Sequence, residues 1–245
     1  MATAWMIAHM PKFFHFRDLT FEAVNRDFQI HTTATDGQAT IEEIIEKARS
    51  IGLGEIAFTE HVRKTSNYFS DFVAQVKRLR KKTGGIAVYV GLEAKADDFS
   101  GNLDVSASAL RAAEIVLGSV HRFPAPRGQW IQAKELVYEE AAKRELDLSL
   151  GLLKKAPINV LAHPGGMCQR AFGRFPREYF RIMMQAAVER DVAIEINSSY
   201  LVDLDDFLSL CKEVNPKISI GSDVHRLSDL GLCRNALRQR GIGCP

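Results

Sequence analysis

Apolar and polar positions along this chain repeat as a pair of motifs. A short, uninterrupted apolar run is followed by a longer stretch in which apolar residues recur at three- and four-residue spacing. Runs at 27–30, 55–59, 86–92, 115–120, 159–162, 192–197 and 217–221 read as strands. They are apolar throughout rather than alternating, as expected of strands covered on both faces. Between them, Thr40-Ile41-Glu42-Glu43 is a capping box, and Ile41, Ile44, Ile45 and Ala48 form a helical stripe ended by Gly52 and Gly54. Further helices are predicted at about 70–82, 103–113, 131–153, from Pro176 onward, at 203–214 and at 227–240, with loops at 62–70, 122–130 and 165–174.

Strand and helix alternate seven times, which means parallel strands joined by helical crossovers. Both an open doubly wound sheet and a closed barrel satisfy that alternation. The strand ends separate the two. The first strand delivers His31 and, five residues on, Asp36; the others end at His61, Glu93, His121, His163, Asn197, and Asp223 with His225. An open sheet gathers its functional groups at one switch point from a few strands. Here every strand contributes at its C-terminal end, which only a ring can bring to one centre. The expectation is an α/β barrel of about seven strands with residues 26–245 as one domain. Residues 1–25 read as an N-terminal extension whose His9 and His15 lack ligand spacing.

Composition narrows the class without changing this picture. The 245 residues are 46% hydrophobic and 25% charged, as in an ordinary globular protein, and no apolar run approaches the roughly 18 residues that span a bilayer. The net charge of +2 argues for neither nucleic acid nor membrane as an obligatory partner. Four scattered cysteines without a C-x-x-C pair fit a reduced, cytoplasmic protein. Oligomeric state is left open.

The strand ends carry five imidazoles and three carboxylates: His31, His61, His121, His163, His225, Asp36, Glu93 and Asp223. That exceeds the three or four protein ligands of a mononuclear catalytic site. Two or three divalent ions (Zn, Mn or Fe) are implied, with carboxylates as bridges.

These residues resemble the polymerase and histidinol phosphatase (PHP) superfamily. Its usual opening, D-x-H-x-H-T-x-x-S-D-G, is met here by residues 27–37, and its apolar strand into T-D-H by Thr59-Glu60-His61. Gly91-Leu92-Glu93, Gly118-Ser119-Val120-His121, Ala162-His163-Pro164, Glu195-Ile196-Asn197 and Gly221-Ser222-Asp223-Val224-His225 follow in the family's order. The resemblance implies a distorted (β/α)7, TIM-like barrel with up to three ions at the C-terminal ends of its strands, hydrolysing phosphoesters. Carried over, His31, Glu93 and Asp223 hold one ion, with Gln29 in place of a histidine. Glu93, His121 and His163 hold a second. His61 and His225, with Asp36, hold a third. Glu60 replaces the usual aspartate and is expected to orient a neighbour.

The chemistry implied is a hydroxide formed from metal-activated water, with Asp223 and His225 as candidate proton donors to the leaving group. Arg63, Arg122, Arg170, Arg226 and Lys95, each close to a ligand position in sequence, are candidates for substrate phosphate. A small phosphomonoester of the histidinol phosphate kind is the favoured substrate. The alternatives are a 3′-5′ exonuclease or nucleotide phosphodiesterase, as in polymerase-associated PHP domains, and a metal-binding regulatory module impaired by Gln29.

Overall fold

The computed structural model describes residues 10–244, so His9 and the start of the expected extension lie outside the described residues. The chain enters through β1 (Phe14–His15), α1 (Phe21–Val24) and β2 (Arg26–Ile30). Then come α2 (Ile41–Ser50), β3 (Glu55–His61), α3 (Phe69–Arg80), β4 (Ala87–Lys95), α4 (Ala107–Ala112) and β5 (Ile115–Ser119). A small antiparallel pair, β6 (Phe123–Pro124) with β7 (Trp130–Ile131), precedes α5 (Tyr138–Lys155) and β8 (Val160–Leu161). The chain ends with α6 (Gly166–Phe172), α7 (Arg177–Arg190), β9 (Ala193–Asn197), α8 (Leu204–Val214), β10 (Lys217–Gly221) and α9 (Leu232–Gln239).

Seven of these strands run parallel in the order β10-β9-β8-β5-β4-β3-β2. The two ends of that sheet then meet. Ile30 bridges Val224 in parallel, the His31 N–H donates to the Val224 carbonyl at 2.9 Å, and the Val224 N–H donates to the Gln29 carbonyl at 3.0 Å. The ring is therefore closed, but by one bridge where the other strands share a ladder. Two further irregularities distort it: β8 is two residues long, and the β2–β3 register shifts between Asp27 and Ile30.

The interior is filled by strand side chains, among them Phe28, Ala57, Leu117, Val160 and Ala193. A larger apolar layer between strands and helices takes the stripe faces, including Ile41, Ile44 and Ala48 of α2. The capping box at Thr40 forms as expected. At the end away from the strand exits, β1 adds antiparallel to β10, pairing Phe14 with Ile218. The buried Arg26 guanidinium lies over the rings of Phe14 and Phe28, at 5.3 and 5.1 Å, and pairs with Glu55 at 2.9 Å. His15 is structural: its Nδ1 donates to the Asn215 carbonyl at 2.9 Å.

Several element boundaries differ from expectation. The helix expected at 131–153 begins only at Tyr138, because residues 130–135 form β7 and a 3-10 turn. The helices expected at 103–113 and 227–240 shorten to α4 and α9. Most consequential for the site, residues 166–172, expected as loop, are helical.

Candidate metal centre

Each ligand-type residue sits where a strand leaves the ring, and the local backbone aims it inward. Glu93 is the hub. Its Oε1 lies 2.9 Å from His121 Nε2 and 3.0 Å from His163 Nε2, and those two nitrogens are 3.2 Å apart. Its other oxygen, Oε2, lies 3.1 Å from His61 Nδ1 and 3.5 Å from His31 Nε2. His31 Nε2 is in turn 3.2 Å from Asp223 Oδ1. Farther out, Asp36 stands 3.4 Å from His61 Nε2 and 3.4 Å from His225 Nε2. The His31 ring lies against both His61 and His225, with centroids 4.3 and 4.6 Å away.

Two of these positions are reached through left-handed backbone. His163 has φ 29° and Asp223 φ 50°, conformations that cost of order 1–3 kcal/mol for a non-glycine residue and persist where the surroundings enforce them. Glu195 enforces the first, its carboxylate accepting the His163 N–H at 2.7 Å. Asp27 supports the second from the base of β2, accepting the N–H groups of Ser222 and Gly231, each at 2.9 Å. Glu60 arranges the Asp36 loop, accepting the Thr32 N–H at 2.8 Å and the Thr35 hydroxyl. Gly37 closes that loop against the His31 carbonyl, where a Cβ would overlap the backbone.

The electrostatics follow from crowding acids and imidazoles out of water. Burial pushes Glu93 up, but His121, His61 and His163 outweigh it and hold the carboxylate well below its usual range. Burial likewise opposes the charge on His163, yet Glu93 raises its imidazole to about 9. Asp223 stays below the ordinary aspartate value because His31 and His163 overcome its burial. Glu195, by contrast, has burial as its leading influence and is pushed up to about 8.

The donor set fits divalent ions. Ligand atoms that share one ion at about 2.0–2.2 Å stand roughly 3–3.5 Å from each other, and the separations here run from 2.9 to 3.5 Å. Both His31 nitrogens and His61 Nδ1 are buried without an aligned hydrogen-bond partner among the described residues, although carboxylate oxygens are close. The His225 tautomer is also the one a metal ligand needs. Its Nδ1–H is taken by the Asp223 carbonyl at 2.9 Å, which leaves the Nε2 lone pair facing Asp36. Among the described residues the ligand atoms of His31, Asp36, His61 and His225 lie within 4.8 Å of one another, as do those of His61, Glu93 and His121, while His163 adjoins Glu93 and Asp223 adjoins His31.

Gln29, expected among the ligands, has other partners. It is fully buried, and one end of its amide lies 2.6 Å from Asn197 Nδ2 and 2.9 and 3.0 Å from the Glu195 oxygens, which makes that end the nitrogen, donating to the Glu195 carboxylate. Asp36, His61, Asp223 and His225 line a cleft of about 650 Å³ together with Arg63, Lys95, Arg170 and Arg226. Arg122 is not part of that lining. Its guanidinium lies 3.6 Å from the Trp130 ring centroid and pairs with Asp104 at 3.2 Å. Burial and then the nearby Arg63 charge lower the Lys95 ammonium. Tyr200, which sequence reasoning missed, stacks on His163 at 4.5 Å, and Arg170 lies over its ring at 4.4 Å. Asp27, Glu195 and Asn197 were visible only as motif letters; their roles depend on partners that are distant in sequence.

Residues 27–199 match the family model of the PHP domain. A protein of Caldicellulosiruptor bescii described as "Probable phosphatase" is 29% identical over 217 residues, covering 83% of this chain and 80% of that protein. A Clostridium novyi protein described in the same words is 24% identical, covering 84% of this chain and 80% of that one. Among solved structures, the histidinol phosphate phosphatase of Lactococcus lactis, in complex with zinc, L-histidinol and phosphate, superposes with a TM-score of 0.66. It is 19% identical and covers 87% of this chain and 91% of that one, a likeness of fold. The fold it shares is TIM-like, as expected.

Proposed function

We propose that this chain, which belongs to the PHP domain family, is a metal-dependent phosphoesterase acting on a small phosphomonoester. The observation that carries the reading is the Glu93 carboxylate, with its two oxygens spread among four imidazole nitrogens at 2.9 to 3.5 Å. In this reading His31, Glu93 and Asp223 hold one ion, Glu93, His121 and His163 a second, and His61, Asp36 and His225 a third. Zinc, manganese or iron in such sites supplies Lewis acidity toward a phosphoryl oxygen and toward water.

The chain's own residues do the rest. Burial of Glu93, His31 and His163 fixes the ligand positions before substrate arrives, so little reorganisation accompanies the reaction. Arg170 and Arg226 face the cleft and can meet oxygens of the transferred phosphate, and Arg63 and Lys95 line the same cleft. Arg122 serves by packing on Trp130 rather than by direct contact. Proton delivery to the leaving oxygen falls to His225, one-third exposed at the mouth, only while its outer site is empty, because Nε2 is the atom that would hold the ion. Asp223 is kept ionised and suits holding His31 and an ion better than giving up a proton. The free cysteines suit the reducing cytoplasm in which we place the protein.

The test is phosphate release by the full chain reconstituted with Zn, Mn or Fe, from histidinol phosphate and a panel of small monoesters. Release that chelation and Glu93→Gln both abolish is the expected result. Shortening of oligonucleotide ends without monoester turnover would replace this reading with a nuclease. Inactivity on every substrate, with metal bound, would leave a binding module.

A further inference from the structure

Two cations on one wall of the cleft are left without counter-charges. His61 and Glu93 face each other in the parallel register of β3 and β4, and two residues beyond them lie Arg63, just past the end of β3, and Lys95, the last residue of β4. Alternation along a strand gives Lys95 the same side as Glu93. Both side chains line the cleft. The neighbouring acids are occupied: Asp97 pairs with Lys64 at 2.5 Å, Asp104 with Arg122 at 3.2 Å, and Asp229 with Arg226 at 3.2 Å. Among the described residues, neither Arg63 nor Lys95 forms a side-chain ion pair or hydrogen bond.

The central carboxylates Asp36, Glu93 and Asp223 are the counter-charges of the ions they would hold, so they do not neutralise this pair once the centre is loaded. Ions held by these residues would supply the positive charge that the transferred phosphoryl group requires. Two adjacent cations, one half-buried, thus exceed what a simple phosphomonoester requires, and an anion between them would relieve their repulsion.

We propose that Arg63 and Lys95 form a second anion subsite, reading a carboxylate or further phosphate carried by the leaving group. The preferred substrates are then phosphomonoesters with an additional negative charge, rather than neutral or cationic ones. This rests on the phosphoesterase reading above.

Three small esters of similar size test it: 3-phosphoglycerate, glycerol 3-phosphate and phosphoethanolamine, whose leaving groups are anionic, neutral and cationic. Binding to the metal-reconstituted full chain is measured by calorimetry, and turnover by phosphate release. The expected result is binding of 3-phosphoglycerate about tenfold tighter than glycerol 3-phosphate, with phosphoethanolamine weakest and kcat/KM in the same order. In Arg63→Gln, an exposed position, and in Arg63→Gln/Lys95→Met, the preference should shrink stepwise toward equality, chiefly through KM. Equal binding of all three by the unaltered protein, or a preference that survives both variants, overturns the subsite. Charge-ranked binding without phosphate release would keep the subsite and remove the phosphoesterase reading. Equal turnover of all three would do the reverse.

Discussion

The amides of Gln29 and Asn197 meet at 2.6 Å beneath the ligand cluster, in a space from which water is excluded. The Glu195 oxygens approach that same end of Gln29 at 2.9 and 3.0 Å, so it is the Gln29 nitrogen, donating to both. The Gln29 nitrogen is thereby engaged by both oxygens of the carboxylate. Gln29→Ala should destabilise the protein by about 1–3 kcal/mol, the cost of stranding buried polar groups, and should leave the bound-metal count unchanged. Urea denaturation and elemental analysis check both. Loss of one metal equivalent at unaltered stability would mean that Gln29 ligates after all.

Glu93 spreads its two oxygens over two pairs of imidazoles, His121 with His163 and His61 with His31. Glu93→Gln keeps the shape and removes the charge, so His121 and His163 lose the anion that offsets their burial. We expect metal content to fall and turnover to drop by roughly two to three orders of magnitude. Conservative replacement of Asp36, at the exposed rim, should cost less turnover and at most one ion. Metal analysis beside initial rates distinguishes the two.

The strand ends were legible because each apolar run stops at a ligand-type residue, and period and spacing are local properties. What stayed hidden depends on long-range partners. Residues 165–174 read as a loop because Gly165-Gly166 offers no side-chain cap; in the fold, α6 is capped from α5, whose Glu145 accepts the N–H groups of Met167 and Cys168, each at 2.9 Å. That helix carries Arg170 to the cleft. Arg122 follows a ligand directly in sequence, yet Trp130 and Asp104 turn it aside. Tyr200 gives no signal at all until β8 and β9 lie side by side and His163 meets its ring.

Gly37 explains a motif letter and yields a third expectation. A Cβ there would overlap the His31 carbonyl and crowd the Thr32 nitrogen, so Gly37→Ala must displace the turn that presents Asp36. The turn is surface-exposed, and overpacking of this kind costs about 1–3 kcal/mol. The outermost ion should be lost first, while the pair of sites sharing Glu93 persists. Titration of metal binding in the variant, followed calorimetrically, should show one fewer site. Unchanged stoichiometry would indicate that Asp36 is not a ligand.

Glu145, which lies outside the ligand set, sets a pH dependence of its own. It is 1% exposed, and burial pushes its carboxyl from 4.5 up to about 7 against the pull of its hydrogen bonds to Cys168 and Met167. The folded state therefore holds this proton more tightly than the unfolded chain. Its contribution is fully present below about pH 4.5 and is lost as pH rises through about 7. With roughly 1.4 kcal/mol per pKa unit, the loss is about 3 kcal/mol across that window. Glu145→Gln cannot titrate, and its amide nitrogen faces a backbone N–H, so the variant should be less stable at pH 5. Its stability should nevertheless decline less between pH 5 and 8. Urea midpoints of both proteins at the two pH values, with metal removed, measure the difference. Parallel declines would place the Glu145 carboxyl near its ordinary value and remove it from the pH response.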